Sequence, residues 1–355
     1  MCKLDTGEFC EPVGAPVGGV ASGGETACEE DAFGRDAVLD ESTALRLSKL
    51  TSDFYAENAD SFSETRTNAW VGWERLLEEV APAMQPQNPR VLDLACGNMR
   101  FARFLAERLL QCSIEYLAAD NCSGLASAGG VAAAGESAVD GFANSDVESV
   151  SAADGFAPTA DCASNSARRF FESPQSVYSS DPGSGGYEPV KIGDRIACSF
   201  QQLDIVSSLA ANSIAADLAV CDKSCDLAVA FGFMHHIPLA AWRRELLQTL
   251  AAKVRPGGYV AVSFWRFMSS PKLAEKAHAT TAKATAEFGL PELPENDYLL
   301  GWQQTRGSYR YCHHFDEAEI ASFEQALGPC ATLVARYQAD GKPGNLNEYL
   351  IWRVL

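Results

Sequence analysis

Two short apolar runs on either side of an amphipathic segment constrain the fold of this chain most strongly. The runs are RVLDL (90–94) and EYLAAD (115–120), and the segment between them, RFARFLAERLLQ (100–111), has its apolar residues at helical spacing. A strand, a helix and a second strand in this order form a βαβ unit, in which the two strands are parallel. We therefore expect a parallel sheet at the centre of the fold.

The downstream sequence continues the same alternation. Apolar runs follow at ACSFQQLD (197–204), CDLAVAFGFM (225–234) and YVAVSFW (259–265), with a predicted helix over about 239–253 and a predicted turn at RPGG (255–258). The runs are nearly continuous in apolar residues, which is typical of parallel strands that helices cover on both faces.

The C-terminal sequence has a different pattern. Asp316 and Glu319 resemble a helix-capping box, and we expect that helix to stop near Gly328. ATLVARYQ (331–338) and NEYLIWRVL (347–355) then predict an antiparallel hairpin. The pattern as a whole indicates an α/β fold, with a doubly wound, seven-stranded, mostly parallel sheet that ends in this hairpin.

Two segments differ from the rest in composition. Residues 1–40 are rich in Gly, Glu and Ala, and we expect a disordered acidic tail there. Residues from about 122 to 195 are dominated by Ser, Ala, Gly and Asp, which predicts a low-complexity insertion. The expected organisation is therefore one domain over 41–355, interrupted by this insertion.

The chain lacks the signatures of membrane, disulfide-bonded and zinc proteins. No apolar run approaches the roughly 20 residues that span a bilayer, and the first residues form no signal segment, so we expect a cytoplasmic protein. The 12 cysteines are scattered, and none of the five histidines has a cysteine pair at ligand spacing beside it. We expect reduced thiols and no metal site.

The net charge of −19 speaks at first against a nucleic-acid partner, since phosphate binding needs Lys and Arg. The acidic residues are unevenly distributed, however. Residues 1–45 carry 10 acids and 2 bases, and residues 121–195 carry 10 acids and 4 bases, so the remainder of the chain accounts for only −5 of the total. The charge therefore does not exclude an RNA substrate.

The segment DLACGNMRF (93–101) follows the first predicted strand. Asp93 is expected at the carboxyl end of that strand, where open α/β sheets bind ligands, and Gly97 allows the backbone to approach a ligand closely. Ala95 and Met99 occupy positions where glycine would fit such a turn more easily, because Met tolerates a positive φ poorly. Asn98 adopts a left-handed conformation more readily, and we expect it to take the left-handed position in this turn.

Further candidates lie at the ends of the following strands. Asp120 can accept hydrogen bonds from both hydroxyls of a ribose. The strand and turn pattern resembles that of class I methyltransferases, and this resemblance implies that Asp204, at the end of the third strand, lies near an adenine amine. Phe231 follows the fourth strand, where an aromatic ring suits a sulfonium cation. His235 and His236 then fall at the mouth of the pocket, either as substrate contacts or as one packed and one solvated residue.

Several segments resemble the tRNA wobble-uridine carboxymethyl methyltransferases. They are FYAENADSFSETRTNAW (54–70), DLACGN, AFGFMHHI, the stretch 239–265, RYCHHF (310–315) and DGKPGNLNEYLIW (340–352). The resemblance covers 54–120 and 197–355, and it implies the class I methyltransferase fold with S-adenosylmethionine as cofactor. It departs from the family pattern at Ala95 and Met99, at Trp70, which no proline follows, and in the long insertion.

The resemblance also implies roles for individual residues. Tyr55 and Arg66 would contact the methionine carboxylate of the cofactor, and Tyr311, His313 and His314 would line the substrate side. A carboxylate acceptor is already ionised, so it needs cationic or hydrogen-bonding groups rather than a base. We assign that catalytic role to Arg310 and His235, with His236 as a substrate contact.

The predicted function is methylation of a carboxylate on a modified wobble uridine in tRNA. Two alternatives stay open at this stage: a methyltransferase for a small metabolite, and a nucleotide-binding regulatory protein without turnover, which Met99 favours. The sequence also leaves open whether a small activator subunit is required.

Overall fold

The computed structural model describes residues 39–85, 88–128, 190–192, 195–302 and 307–355, all within the unit Ala37–Leu355. The expected acidic tail lies outside the described residues except for positions 39 and 40. Most of the expected insertion also lies outside them. Its ends are described, and there Ser123–Ala128 form a helix and Val190–Ile192 form a strand, so these ends belong to the folded domain.

An eight-stranded sheet forms the centre of the described fold, in the order β3-β4-β2-β1-β5-β6-β10-β9. The five strands β4, β2, β1, β5 and β6 are parallel, and β3, β10 and β9 are antiparallel to their neighbours. A separate antiparallel pair consists of β7 and β8. The bounds are β1 (Arg90–Leu94), β2 (Ile114–Asp120), β3 (Val190–Ile192), β4 (Ile196–Gln202), β5 (Cys225–Ala230), β6 (Val254–Trp265), β7 (Asp297–Gly301), β8 (Tyr309–His313), β9 (Ala331–Ala339) and β10 (Asn347–Val354).

This topology confirms the predicted fold class, including the C-terminal hairpin of β9 and β10. The sequence did not predict the edge strand β3 or the β7–β8 pair. β3 has only three residues, and β7 and β8 contain the polar residues Asp297, Arg310 and His313, so none of these strands has the continuous apolar run that marks the parallel strands.

Local sequence signals explain where the helices begin and end. The Asp40 side chain accepts from the backbone N–H of Thr43 at the start of α1, and Asp316 accepts from that of Glu319 at the start of α9. Gly289, with a φ of 56°, ends α8. The helices are α1 (Glu41–Glu64), α2 (Gly72–Val80), α3 (Arg100–Arg108), α4 (Ser123–Ala128), α5 (Ile205–Ala210), α6 (Ile214–Asp217), α7 (Ala240–Lys253), α8 (Pro271–Phe288) and α9 (Glu317–Glu324).

The RPGG segment forms a bulge within β6: Val254 pairs with Cys225 and Tyr259 with Leu227, so four residues of β6 lie opposite one residue of β5, and Gly257 has a φ of 81°. One predicted boundary was wrong. Helix α9 ends at Glu324 rather than near Gly328, which begins a short 3-10 helix instead.

The sheet separates two buried apolar layers. Successive residues of a strand point to opposite faces, so Val91 packs in one layer and Leu92 in the other. Helix α7 covers the face of Leu92, and α2 and α3 cover the face of Val91. Burial on both faces fixes the strand register and hence the positions of the residues at the strand ends.

Within the described ranges, no helix has the length and apolar character needed to cross a membrane. The eight cysteines in these ranges are all free thiols, in agreement with the expected reduced state.

Candidate functional site

A cavity of about 430 Å³ lies at the carboxyl ends of β1, β2, β4 and β5. Ligands of open α/β sheets bind at this edge, and the volume falls in the range of small-molecule sites. Eleven of the residues predicted from the sequence line the cavity: Tyr55, Arg66, Asp93, Gly97, Asn98, Asp120, Asp204, Phe231, His235, His236 and Arg310.

The turn after β1 adopts a left-handed backbone at three alternate positions. The φ values are 57° at Ala95, 52° at Gly97 and 61° at Met99. The expectation that Asn98 would take the left-handed conformation was wrong, since the positive φ values fall on its two neighbours. The Asn98 side chain donates to the carbonyl oxygen of Arg66 at 3.0 Å. Met99 tolerates the conformation because its fully buried side chain packs in the apolar layer beneath α3.

Replacing Ala95 with glycine should stabilise the protein by about 1 kcal/mol, because glycine adopts the left-handed conformation without steric strain. The matched control is Ala279→Gly on the exposed face of α8, which should destabilise by about 0.5–1 kcal/mol. Urea denaturation measures both changes. A loss of stability in the Ala95 variant would show that the turn is not strained at this position.

Asp120 holds this turn against the end of β2. One carboxylate oxygen accepts from the backbone N–H of Gly97 at 2.9 Å, and the other accepts from that of Cys122 at 2.8 Å. Burial raises the pKa of Asp120, and these two hydrogen bonds oppose that rise. Since each carboxylate oxygen has a second lone pair, Asp120 can still accept from a ligand.

Asp93 is buried at the end of β1 and accepts a hydrogen bond from the hydroxyl of Tyr116. Burial raises the pKa of Asp93 from 3.8 to about 7, and the negative charge of Asp120 adds to the rise. The carboxyl group is therefore partly protonated near neutral pH.

Asp93→Asn should increase stability more at pH 8 than at pH 5. Because the pKa of Asp93 is higher in the folded state (about 7) than its ordinary value of 3.8, the group lowers stability as the pH rises through this interval. Asparagine keeps the acceptor for Tyr116 and removes the titration. Urea denaturation of both proteins across this range tests the prediction, and a stability difference that does not change with pH would contradict it.

Asp204 has a structural role as well as a place in the cavity wall. It is the N-cap of α5, and its two carboxylate oxygens accept from the backbone N–H and the hydroxyl of Ser207 at 3.0 and 2.7 Å. This capping role alone can explain why an aspartate stands at position 204, so its contact with adenine stays a prediction.

Three arginines line the cavity, and within the described ranges none of them pairs with a carboxylate. The guanidinium of Arg66 lies 3.4 Å from the ring centre of Phe62, and that of Arg100 lies 5.2 Å from the ring centre of Trp70. Burial lowers the pKa of Arg66 and of Arg100 to about 10. Arg66 and Arg100 therefore stay cationic near pH 7, and a cavity lined by guanidinium groups is suited to anionic groups.

Arg310 is the most deeply buried of the three, with 6% of its surface exposed. Its guanidinium lies 4.7 Å from the ring centre of Phe54, and its Nε and Nη1 groups are buried without a hydrogen-bond partner. A buried, unpaired cation is costly, and such costs are typical of residues that bind a ligand.

His236 has defined hydrogen bonds on both ring nitrogens. Its Nδ1 lies 2.7 Å from the carbonyl oxygen of Tyr311, and its Nε2 lies 2.8 Å from the hydroxyl of Tyr55. A carbonyl oxygen only accepts, so Nδ1 carries the proton and donates. Burial and the charge of Arg310 lower the pKa of His236 to about 3, which keeps the ring neutral.

His235 lies beside His236, at 4.1 Å between ring centres, and against Trp265 at 4.9 Å. Its Nδ1 is buried without a hydrogen-bond partner. Burial holds the pKa of His235 well below its usual range, and the positive charge of Arg310 adds to this effect. Of the two roles that the sequence left open for the histidines, cationic or hydrogen-bonding, the cationic one is corrected, because both rings are neutral near pH 7.

The structure does not bring the other three predicted substrate contacts to the cavity. Along β8, the side chain of Tyr311 points away from Arg310 and donates to Asp297 at 2.6 Å. His313 lies between Asp297 and Glu319, at 2.6 Å from each. The ring of His314 packs 5.4 Å from that of Phe267. We therefore withdraw the substrate role of Tyr311, His313 and His314 and assign them to the packing of β8.

Three side chains lie close enough together to hold a metal ion, although the sequence predicted no metal site. The ligand atoms of His235, His236 and Cys312 lie within 4.8 Å of one another. Both nitrogens of His236 are already hydrogen bonded, and Arg310 is close enough to repel a cation. We therefore assign no metal to this group.

The sequence did not assign several other lining residues to the site, among them Phe62, Trp70, Arg100 and Trp265. Trp265 is the last residue of β6, so the rule that ligands bind at the carboxyl ends of strands would have identified it. Phe62 and Trp70 come from α1 and the loop after it. The family resemblance placed Tyr55 and Arg66 of this segment at the cofactor, but no local sequence pattern identified Phe62 or Trp70 as lining residues.

The family model described as a methyltransferase domain matches residues 64–328. No curated protein matches the chain. Similar solved structures include an SAM-dependent methyltransferase from Methanosarcina mazei, with 14% identity, coverage of 78% of this chain and 97% of that chain, and a TM-score of 0.42. Another is the 1,6-didemethyltoxoflavin-N1-methyltransferase of Burkholderia thailandensis with bound 1,6-didemethyltoxoflavin and S-adenosylhomocysteine, with 15% identity, coverage of 92% and 98%, and a TM-score of 0.42.

Proposed function

This chain belongs to the methyltransferase domain family, and on that premise we propose that it transfers a methyl group from S-adenosylmethionine to a carboxylate. The family match confirms the predicted enzyme class and cofactor. The choice of a carboxylate depends on Arg310, a buried arginine of the cavity wall that pairs with no carboxylate among the described residues and leaves Nε and Nη1 without a hydrogen-bond partner. A carboxylate is the planar anion that two N–H groups of a guanidinium bind together.

The residues at the sheet edge fit a nucleoside-containing donor. A Cβ built on Gly97 would meet no protein atom within 4 Å, so the cavity is open directly beside this backbone. Asp120 would accept from the ribose hydroxyls, Asp204 would contact the adenine, and Arg66 would bind the methionine carboxylate; all three residues line the cavity. When bound, S-adenosylmethionine supplies a methyl group activated on a sulfonium.

The side chains need only to orient the reactants and exclude water. Methyl transfer from a sulfonium is an in-line displacement, in which alignment supplies most of the rate enhancement. A carboxylate acceptor is ionised near pH 7 and needs no general base. Arg310 would hold it by charge-assisted hydrogen bonds, and His235 would offer one neutral hydrogen bond from its unpartnered Nδ1.

The sequence resemblance supports one carboxylate in particular, the carboxymethyl group of a modified wobble uridine in tRNA. The segments that carry the resemblance include α1, the loop after it and β8, and these contribute Tyr55, Arg66 and Arg310 to the cavity. A small activator subunit that supplies positive charge would compensate for the acidic character of this chain, whose net charge is −19.

A small-metabolite acceptor is the second candidate, and the unpartnered nitrogen of His235 favours it. A phenol or an N–H acceptor must lose a proton, and a neutral imidazole facing the cavity could accept it. The low pKa of His235 makes it a weak base, which is why we rank this candidate second.

Radiolabelled methyl transfer separates the two candidates. The purified chain is incubated with labelled S-adenosylmethionine and either bulk tRNA or a small-molecule extract. Label in tRNA that mild alkali releases as methanol would support a methyl ester of a carboxylate, whereas alkali-stable label in the extract would support the metabolite enzyme. No label in either fraction, with intact cofactor binding, would contradict both.

A further inference from the structure

His313, the last residue of β8, is buried between two carboxylates and is not among the described residues that line the cavity. Its Nδ1 lies 2.6 Å from Asp297 at the start of β7, and its Nε2 lies 2.6 Å from Glu319 in α9. The hydroxyl of Tyr311 donates to the same oxygen of Asp297 at 2.6 Å, and Arg243 pairs with the other oxygen of Glu319 at 3.0 Å. We call these five side chains the His313 group.

The partners of His313 make it a donor at both ring nitrogens. Burial alone would raise the pKa of Glu319, but the hydrogen bond from His313 and the charge of Arg243 lower it, so Glu319 is ionised and only accepts. Burial and the charge of Asp297 raise the pKa of Tyr311 well above its usual range, so the hydroxyl keeps its proton and donates it to Asp297. With two carboxylates, Arg243 and an imidazolium, the group has no net charge, as burial favours.

The other titratable neighbours of His313 add no competing charge. His235 and His314 lie close enough to be affected by its charge, and burial lowers the pKa of each, so both are neutral near pH 7. On another side, the ring of His313 packs edge-on against that of Phe315, at 4.9 Å between ring centres. The two carboxylates and the guanidinium of its own group therefore determine the charge of His313.

The His313 group connects the two parts of the chain that would hold the methyl acceptor. Arg310 lies on β8 together with His313, and His235 lies in the short 3-10 helix after β5. Arg243 donates to the two backbone carbonyl oxygens that follow this 3-10 helix, at 2.8 and 3.2 Å. A continuous series of contacts therefore joins the strand of Arg310 to the segment of His235.

Arg310 depends on this anchoring because its own side chain has few directional contacts. Its Nε and Nη1 groups have no hydrogen-bond partner among the described residues, and its guanidinium packs 4.7 and 5.8 Å from the ring centres of Phe54 and Phe62. The backbone of β8 therefore largely determines where the guanidinium lies. A displacement of about 1 Å in a reactive site can lower a rate by about 100-fold.

We propose that His313 is a positioning residue of the acceptor site. As an imidazolium it holds β8 against α7 and α9, and so keeps Arg310 and His235 at the separation that a single acceptor bridges. This inference deepens the proposed function, on which its acceptor part rests. The protonation state of His313, by contrast, is a property of the folded protein and does not depend on the acceptor.

Long-range ¹H–¹⁵N NMR spectra of the full-length protein with ¹⁵N-labelled histidine test the protonation state. At pH 7.5 a histidine with the ordinary pKa of about 6.5 is mostly neutral. We expect both ring nitrogens of His313 to give the signals of an imidazolium at this pH, whereas His236 gives those of a neutral ring with its proton on Nδ1. The His313→Gln variant assigns the signals. A neutral His313 would overturn the proposal.

His313→Gln also tests the consequence for the acceptor. The glutamine amide reaches the position of Nε2 and can donate to Glu319, but it leaves Asp297 without a cationic partner. With bulk tRNA or the small-molecule extract, whichever the wild-type protein labels, kcat/KM should fall by about 10- to 100-fold. The affinity for S-adenosylmethionine in calorimetry should stay within about twofold of wild type, because the donor side keeps its contacts. An unchanged kcat/KM, or an equal loss of donor affinity, would overturn the positioning role.

The double variant Asp297→Asn with His313→Gln is the matched control. It removes the unpaired charge and keeps an acceptor for Tyr311, so kcat/KM should recover to within about threefold of wild type. A double variant as impaired as the single one would overturn the proposal. The wild-type spectra and the double variant decide the question even if the single variant does not fold. Absence of methyl transfer by the wild-type protein would reject the proposed function together with the acceptor role of His313, whereas a neutral His313 would reject this inference alone.

Discussion

Replacing Arg310 with methionine should lower kcat/KM for the methyl acceptor by about 10- to 100-fold and leave the affinity for S-adenosylmethionine within about twofold of wild type. Methionine fills a similar volume without charge, so the variant loses the charge-assisted hydrogen bonds to an anionic acceptor, which contribute roughly 1.5–3 kcal/mol. Initial-rate kinetics and calorimetry measure the two quantities separately.

The same variant should be more stable than the wild type. The Nε and Nη1 groups of Arg310 are buried without partners, and removing an uncompensated buried cation relieves its desolvation cost. Higher stability with lower activity is the signature of a residue that is retained for ligand binding. Thermal denaturation provides this measurement.

Arg243→Met is the matched control. Arg243 is equally buried, but it pairs with Glu319 at 3.0 Å and donates to the carbonyl oxygen of Ile237 at 2.8 Å. Breaking such a buried pair should destabilise the protein by about 3–5 kcal/mol. If Arg310→Met also destabilised the protein and kept full activity, Arg310 would be structural and the carboxylate proposal would lose its main support.

The contrast between these two arginines also shows what the sequence could not predict. Arg310 lies in the RYCHHF block that carries the family resemblance, but no sequence pattern indicates that Arg243 pairs with a carboxylate, because that pairing depends on the packing of α7 against α9. Glu319 was predicted as part of a helix cap, yet its side chain pairs with Arg243 and His313 instead of returning to the helix N-terminus. No local sequence pattern predicts pairing between residues so far apart in the chain.

The elements that the sequence predicted correctly are those with a local physical cause. Continuous apolar runs produced the parallel strands, and one acid at each strand end placed Asp93, Asp120 and Asp204 at one sheet edge. The RYCHHF block was less informative, because strand alternation points Arg310 into the cavity and Tyr311 and His313 away from it. The family resemblance, by contrast, implied that the whole block faces the substrate.

The backbone of the turn after β1 was also not fully predictable from the sequence. Steric rules predicted that Met99 would avoid a positive φ, and they are correct for an exposed methionine. In the structure, full burial of Met99 offsets the strain, so the turn keeps its left-handed path without glycine at that position. Cofactor binding is therefore compatible with the substitutions that first favoured a non-catalytic protein.

The second large effect is expected from substitution of Gly97, the one glycine of that turn. Gly97→Ala should weaken S-adenosylmethionine binding by about 10- to 100-fold while the protein stays folded. A Cβ at Gly97 would meet no protein atom within 4 Å, so it would project into open cavity space where the backbone is expected to approach the donor. Overpacking by one methyl group in a well-fitted site costs about 1–3 kcal/mol.

The control for this variant is Gly289→Ala at the end of α8. Gly289 has a φ of 56°, close to the 52° of Gly97, and its added Cβ would likewise meet no protein atom within 4 Å. The two substitutions should therefore cost similar backbone strain, about 1 kcal/mol each, and lower the melting temperature equally. Only Gly97 lines the cavity, so only its variant should lose affinity in calorimetry. Equal affinities in both variants would mean that the donor does not approach the turn after β1, and the assignment of Asp120 and Gly97 to its ribose would fail with it.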